Sequence, residues 1–275
     1  MSDWFLDDSS PRSGTAGVIY QWSGGTLIGT AVANVKTATW ALLNPAIPFD
    51  ADLAIVQIGP RTRGVNSVQQ FFDVAKGTAG SESIFLTNLA HATSASQQCA
   101  VFYFPISIPA GTRLTAREQA SQTGDTGSIS LTLLSSGMST PSPFSRITTY
   151  GATTSTTRGV LVDGGATANK KGAWAEIVAS TTSSTKAIIL VMTNGGLSRG
   201  QAHYLVDVGI GPAGSETVFL PNLPFRVNAT LNVTPQTSGP WEVNVPAGNR
   251  LAVRMQTNTT NATDRTLDCL LYAMG

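Results

Sequence analysis

Apolar and polar residues alternate along this chain in short runs, and Gly, Pro, Asn, Asp and Ser fill the gaps between them. In the first half the runs fall near 28–33, 37–43, 53–58, 68–74, 83–89, 100–107, 112–118 and 128–134. A period of two marks a strand with one buried face. The alternation is clearest late in the chain, where Trp241, Val243 and Val245 fall on one side and Glu242 and Asn244 on the other. No segment sustains the i, i+3, i+4, i+7 spacing of an amphipathic helix. Eight short strands separated by turn residues predict an antiparallel β-sandwich of jelly-roll type.

The pattern occurs twice. Asp73 to Leu89 returns as Asp207 to Leu223 without a gap, with 11 of 17 positions identical. Unrelated segments would share about one. At the same offset of 134 residues, Lys36 falls on Lys170, Trp40-Ala41 on Trp174-Ala175, and Leu53–Ile58 on Ala187–Met192. Further on the offset is 137. Pro109–Leu114 matches Pro246–Leu251, Arg117 and Gln119 match Arg254 and Gln256, and Leu133-Leu134 matches Leu270-Leu271. At the front, Gly29 and Val32 are paired with Gly159 and Val162. A period this long predicts two tandem domains related by internal duplication rather than a solenoid. The expected layout is an N-terminal arm at 1–12, a first β-sandwich at 13–137, a short Pro- and Ser-containing linker at 138–146 and a second β-sandwich at 147–275.

Both copies carry an apolar-Pro-Ala-Gly turn, Ile108–Gly111 and Val245–Gly248. Proline at the second turn position and glycine at the fourth suit a type I turn. Such a turn would join the 100–107 and 112–118 runs as neighbouring antiparallel strands. Arg113 alternates with Leu114 beyond it, and Arg250 is its counterpart, so both are expected on a solvent or interface face. Trp40 and Trp174 are expected in strands as core anchors; an exposed ring would instead suit sugar stacking. Trp4, Phe5 and Leu6 on the arm are candidates for docking on a neighbour, or for folding back on the first domain.

Charge changes this picture little. Only 12% of residues are charged, 41% are apolar and the net charge is +1. Disorder and electrostatic attraction to nucleic acid are therefore not expected. No apolar stretch is long enough to predict a membrane helix, and Met1–Asp8 lacks the pattern of a secretory signal. Cys99 and Cys269 are not equivalent in the repeat, and they read as isolated thiols in the core.

Candidate chemistry centres on Asp73, Gly77, Gly80 and Glu82, which recur as Asp207, Gly211, Gly214 and Glu216. A carboxylate pair could serve acid–base chemistry or, with loop carbonyls, hold Ca²⁺. No D-x-D-x-D-G ladder supplies further oxygens, and duplication favours a structural turn held by Ser81 and Glu82. His91 and His203 are not equivalent and lie in no metal-ligand spacing. No nucleophile-elbow, P-loop or dinucleotide motif occurs. The expectation is a non-enzyme without a cofactor. Arg63 and Arg199, each followed by Gly, are either interface residues or parts of solvated loops.

The patterns Asp-Val-x-x-Gly-x-Ala-Gly-Ser-Glu and Pro-Ala-Gly-x-Arg-Leu-x-x-Arg, with Gly172–Ile177, resemble virion proteins of tailed bacteriophages. The resemblance covers both copies. It implies a structural protein that folds in the host cytoplasm and joins a particle as a head decoration or a neck or tail-fibre part. Its expected partners are other virion proteins and further copies of itself. Host glycan is the expected ligand if the domains act instead as an adhesin.

Overall fold

The computed structural model describes residues 18–21, 26–59, 68–93, 99–135, 144–152, 159–193, 200–227 and 235–275. All regular structure among them is strand, with no helix. The first repeat contributes β1 (Val18–Gln21), β2 (Thr26–Gly29), β3 (Ala41–Asn44), β4 (Leu53–Gly59), β5 (Val68–Lys76), β6 (Ser83–Thr93), β7 (Ala100–Phe104), β8 (Leu114–Ala120) and β9 (Thr126–Ser135). The second contributes β10 (Ile147–Tyr150), β11 (Val160–Asp163), β12 (Ala175–Val178), β13 (Thr185–Thr193), β14 (Ala202–Ile210), β15 (Thr217–Val227), β16 (Gln236–Val245), β17 (Leu251–Thr257) and β18 (Thr266–Met274).

Each repeat is a jelly-roll-like sandwich of one five-stranded and one four-stranded layer. In the first, β1 and β2 share one side of β9, followed by β4 and β7, and the other layer runs β6-β5-β8-β3. In the second, β10 and β11 share one side of β18, followed by β13 and β16, and the other layer runs β15-β14-β17-β12. The strand orders correspond one for one. Among the described residues all pairings are antiparallel except one bridge, Ile147 to Leu86, through which β10 extends the sheet that ends in β6. The two domains thereby share a sheet.

The apolar patterns explain this arrangement. In β9, Ile129, Leu131 and Leu133 turn inward while alternate residues remain half-buried. Its counterpart β18 and the adjacent β13 are apolar on both faces. Ile188, Leu190 and Met192 meet Cys269 and Leu271 in the second core. Ala187, Ile189, Val191, Leu270, Tyr272 and Met274 face the opposite way and belong to the first repeat's core. A strand buried on both sides loses its alternation, and each large side chain so covered contributes about 1.5–3 kcal/mol.

Several expectations need correction. β7 pairs with β4 and β8 with β5, so the Pro-Ala-Gly turn crosses between layers instead of joining neighbouring strands. Thr112 N–H donates to Pro109 O, and Gly111 has φ +76°; glycine thus stands third in the turn, where a type II geometry requires positive φ. Leu133 is equivalent to Ala273, not Leu270: Ala54 pairs with Leu133 as Ile188 pairs with Ala273. The cause is a longer connection, 258–265 against 121–125, which shifts register by an odd number and reverses the strand faces. Gly29 pairs with Thr126 as Asp163 pairs with Thr266, so Gly29 corresponds to Asp163 rather than Gly159. Phe144, in the expected linker, is buried in the first core, and its carbonyl accepts from Ser107 N–H at 2.9 Å. Cys269 is buried, whereas Cys99 is exposed and not part of the core.

Candidate functional site

The repeated stretch builds the same polar lock twice. Asp73 lies within β5 opposite a β-bulge in β6, and Asp207 holds the same place in β14 opposite β15. Asn88 and Asn222, at φ 47° and 55°, adopt the left-handed backbone at those bulges. Each donates its N–H to Oδ1 of the aspartate at 2.9 Å. The same oxygen accepts from Lys36 Nζ at 2.8 Å in the first repeat and Lys171 Nζ at 2.7 Å in the second. Oδ2 accepts from Arg117 Nε or Arg254 Nε, both at 2.9 Å. Each guanidinium also lies over a tryptophan ring, Trp40 or Trp174, at 4.6 Å from its centre. The tryptophans are half-buried platforms just before β3 and β12, not core anchors within strands. Lys36 therefore corresponds to Lys171, one residue beyond the match expected from a constant offset.

Electrostatics follow from this packing. Burial alone would raise the Asp207 pKa, but the bonds from Lys171, Asn222 and Arg254 outweigh it and hold the carboxyl below its usual range. Burial pushes the Lys36 ammonium down; Asp73 partly offsets this, and Arg117 adds to it. Both aspartate oxygens are engaged by cations and N–H donors. Each aspartate is thereby compensated by a lysine and an arginine, which disfavours Ca²⁺ there and disfavours its use as a base. Among the described residues no group of three or more His, Cys, Asp or Glu side chains is placed to hold a metal.

The glutamates close the hairpin. Glu82 Oε2 accepts from Gly80 N–H at 2.9 Å, and Oε1 from Arg113 Nη1 at 3.2 Å. Arg113 Nη1 also reaches Gly77 O at 3.1 Å. In the second repeat Arg250 Nη1 bonds Glu216 Oε1 at 2.8 Å and Gly211 O at 3.2 Å, while its Nε bonds Glu176 at 2.7 Å. Burial opposes ionisation of Glu82 and Glu216, yet these bonds keep both below the ordinary value. Gly77 and Gly211 share φ +119°, Gly80 and Gly214 have φ +84° and +81°, and these conformations suit glycine. Arg113 and Arg250, expected at an interface, are bound within their own repeats. Trp4, Phe5, Leu6, Arg63 and Arg199 lie outside the described residues.

Two features were not foreseen. The first is the seam between repeats. Tyr272 is buried edge-on against Phe102 and Phe104, and its Oη accepts Ala90 N–H at 2.7 Å. Asn88 Nδ2 donates to Ala152 O, and Thr149 N–H to Thr87 Oγ1. The second is a buried polar chain in the first core. Gln70 Nε2 donates to Glu118 Oε1 at 2.7 Å, Gly127 N–H donates to Glu118 Oε2 at 3.0 Å, and Gln70 Oε1 meets His91 Nδ1 at 3.0 Å. Burial raises the Glu118 pKa to about 7, and the Gly127 and Gln70 donors only partly offset it. Strand pairing places Tyr204, Phe225 and Met255 at the equivalent positions of the second repeat. The contrast of polar with apolar residues at those offsets was the available signal.

The outer surface exposes several large apolar side chains. Leu42 on edge strand β3, with Val32 and Val35 in the preceding segment, lies in the first repeat. Tyr103, 56% exposed, and Val101 are on edge strand β7; Trp241, 40% exposed, is on the equivalent edge strand β16.

No protein-family model matches this chain. No curated protein matches it either. Among solved structures the chain is remotely similar to several, of which three follow. PNGF-II is similar over 94% of this chain and 65% of its own, at 6% identity and a TM-score of 0.37. The tandem CBM22-1–CBM22-2 domains of Paenibacillus barcinonensis Xyn10C are similar over 95% and 99%, at 8% identity and a TM-score of 0.29. The insecticidal delta-endotoxin Cry8Ea1 of Bacillus thuringiensis is similar over 86% and 53%, at 10% identity and a TM-score of 0.22. Likenesses at such identities and TM-scores carry no argument about this chain's fold or role. The class defined by fold and sequence is an all-β protein of two tandem jelly-roll-like sandwiches related by duplication.

Proposed function

We propose that this protein is a non-catalytic structural component of a bacteriophage virion that joins neighbouring subunits through its sheet edges and N-terminal arm. The observation that carries this reading is where reactive and sticky groups lie. The repeated carboxylates are locked in internal ion pairs, while Leu42, Val101, Tyr103 and Trp241 are exposed on edge strands. Exposed apolar residues on unpaired edges favour association. Light scattering of the full chain, with and without residues 1–12, tests it. A defined oligomer that dissociates on removing the arm is the expected result; a monomer in both cases would overturn self-assembly.

A second reading has its own observation. Tyr103 and Trp241 expose one aromatic ring on the equivalent strand of each repeat, an arrangement suited to paired sugar contacts. Jelly rolls serve both capsids and lectins, so fold alone does not discriminate. A glycan array probed with the full chain and with Tyr103→Ala and Trp241→Ala tests this reading. Retention of signal in both variants would remove these rings from recognition.

A further inference from the structure

Among the described residues, the second repeat has a cavity of about 280 Å³ on the outer face of β15, β14 and β17. Leu205 and Pro224 form its apolar side, and Asn169, His203, Gln256 and Asn258 supply polar groups around it. None of its lining residues is Asp, Glu, Lys or Arg. Asn169 is held at φ 60° by the bond from its N–H to Thr257 O at 2.7 Å. Asn258 is fixed by His203 N–H, which donates to its Oδ1 at 2.9 Å.

The first repeat fills the corresponding positions differently. Phe71, buried, stands where the second repeat has Leu205, opposite Ala90 as Leu205 is opposite Pro224. Gln119, the counterpart of Gln256, donates through Nε2 to Asn34 O at 2.6 Å. Ser121 Oγ accepts Gln69 N–H at 3.1 Å. Leu205 is smaller than the phenyl ring at the corresponding position and leaves more room there.

The geometry points to a binding site for a neutral pyranose in the second repeat. Amides and an imidazole match hydroxyl groups as both donors and acceptors. The Leu205 and Pro224 side suits the C–H face of a sugar ring, and no charge favours an ionic ligand. The volume is ample for one hexose unit. This inference deepens the glycan-binding reading and rests on it for ligand class, but it places recognition away from Tyr103 and Trp241.

The test uses the full chain and saturation-transfer NMR with methyl glycosides of glucose, galactose, mannose and N-acetylglucosamine. Leu205→Phe restores the ring that the first repeat carries, so the fold has a precedent for it. Gln256→Ala removes a half-exposed amide and provides a second variant with little risk to folding. The expected result is binding of at least one glycoside, abolished by Leu205→Phe and weakened about tenfold by Gln256→Ala, as for loss of a polar contact. Binding unchanged in both variants would overturn this site while leaving glycan recognition in place. No binding of any glycoside to the unaltered chain would overturn both.

Discussion

The two repeats share one frame and fill it differently. In the first, Gln70, His91 and Glu118 run a polar chain through the core; in the second, Tyr204, Phe225 and Met255 replace it with apolar packing. Their exposed edges differ as well. β6 receives β10 and Tyr272 from the second repeat, using Leu86, Thr87 and Ala90. The counterparts of Thr87 and Ala90 on β15 are Pro221 and Pro224. Proline has no N–H to offer, so an edge carrying it resists strand addition. A duplicated unit has thus kept its interior lock while one copy became the acceptor and the other the terminator of the pair.

The largest test of this contrast is the pH response of Glu118. Its folded pKa of about 7 lies above the ordinary 4.5. Its contribution is therefore complete below 4.5. It falls as pH rises, because the unfolded chain sheds the proton while the folded chain keeps it, and it is lost above about 7. The difference amounts to about 3 kcal/mol. Urea unfolding across this range should show the decline in the unaltered chain and its loss in Glu118→Gln. A decline that persists in the variant would assign the effect elsewhere.

Next in size is the lock. Asp73→Ala and Asp207→Ala each strand a lysine and an arginine beside each other, and each should cost about 2–3 kcal/mol. This is less than for a fully buried pair because Arg254 retains 31% side-chain exposure. Chemical denaturation should give similar losses for both, since the geometry is the same. A large inequality would break the equivalence of the two locks.

Smaller effects sharpen the asymmetry. Tyr272→Phe leaves Ala90 N–H without its acceptor and should lower stability by about 1–2 kcal/mol, read as a lower melting temperature. No loss would show the seam to rest on packing alone. Gly77→Ala and Gly211→Ala both force alanine to positive φ. A Cβ at Gly77 would lie 2.9 Å from Ser81 O, against 3.2 Å from Ser215 O at Gly211. Each should cost about 1 kcal/mol, with the first repeat the more sensitive in thermal melts.

Much of this architecture was legible in residue order. Alternation located most strands, and identity across the Asp73–Leu89 and Asp207–Leu223 stretches exposed the duplication. The turn glycines and Glu82 were recognisable as structural because both copies kept them. The partners of Asp73 were harder to see. Lys36 and Arg117 approach from strands and loops far apart in sequence, and an insertion hides the true counterpart, Lys171. The match of Leu133 with Leu270 failed for a related reason: an odd number of added residues in the preceding loop reverses which face a strand turns inward, and local identity does not record this.

Sequence by itself determined the all-β class, the two copies and their shared hairpin, because alternation and turn chemistry are local properties of the chain. Tertiary structure alone decided that β13 and β18 are buried on both faces, that the first core encloses Glu118, and that a cavity opens beside Leu205. Those outcomes depend on which surfaces meet across long stretches of chain, and burial, pKa and open volume arise only once they have met.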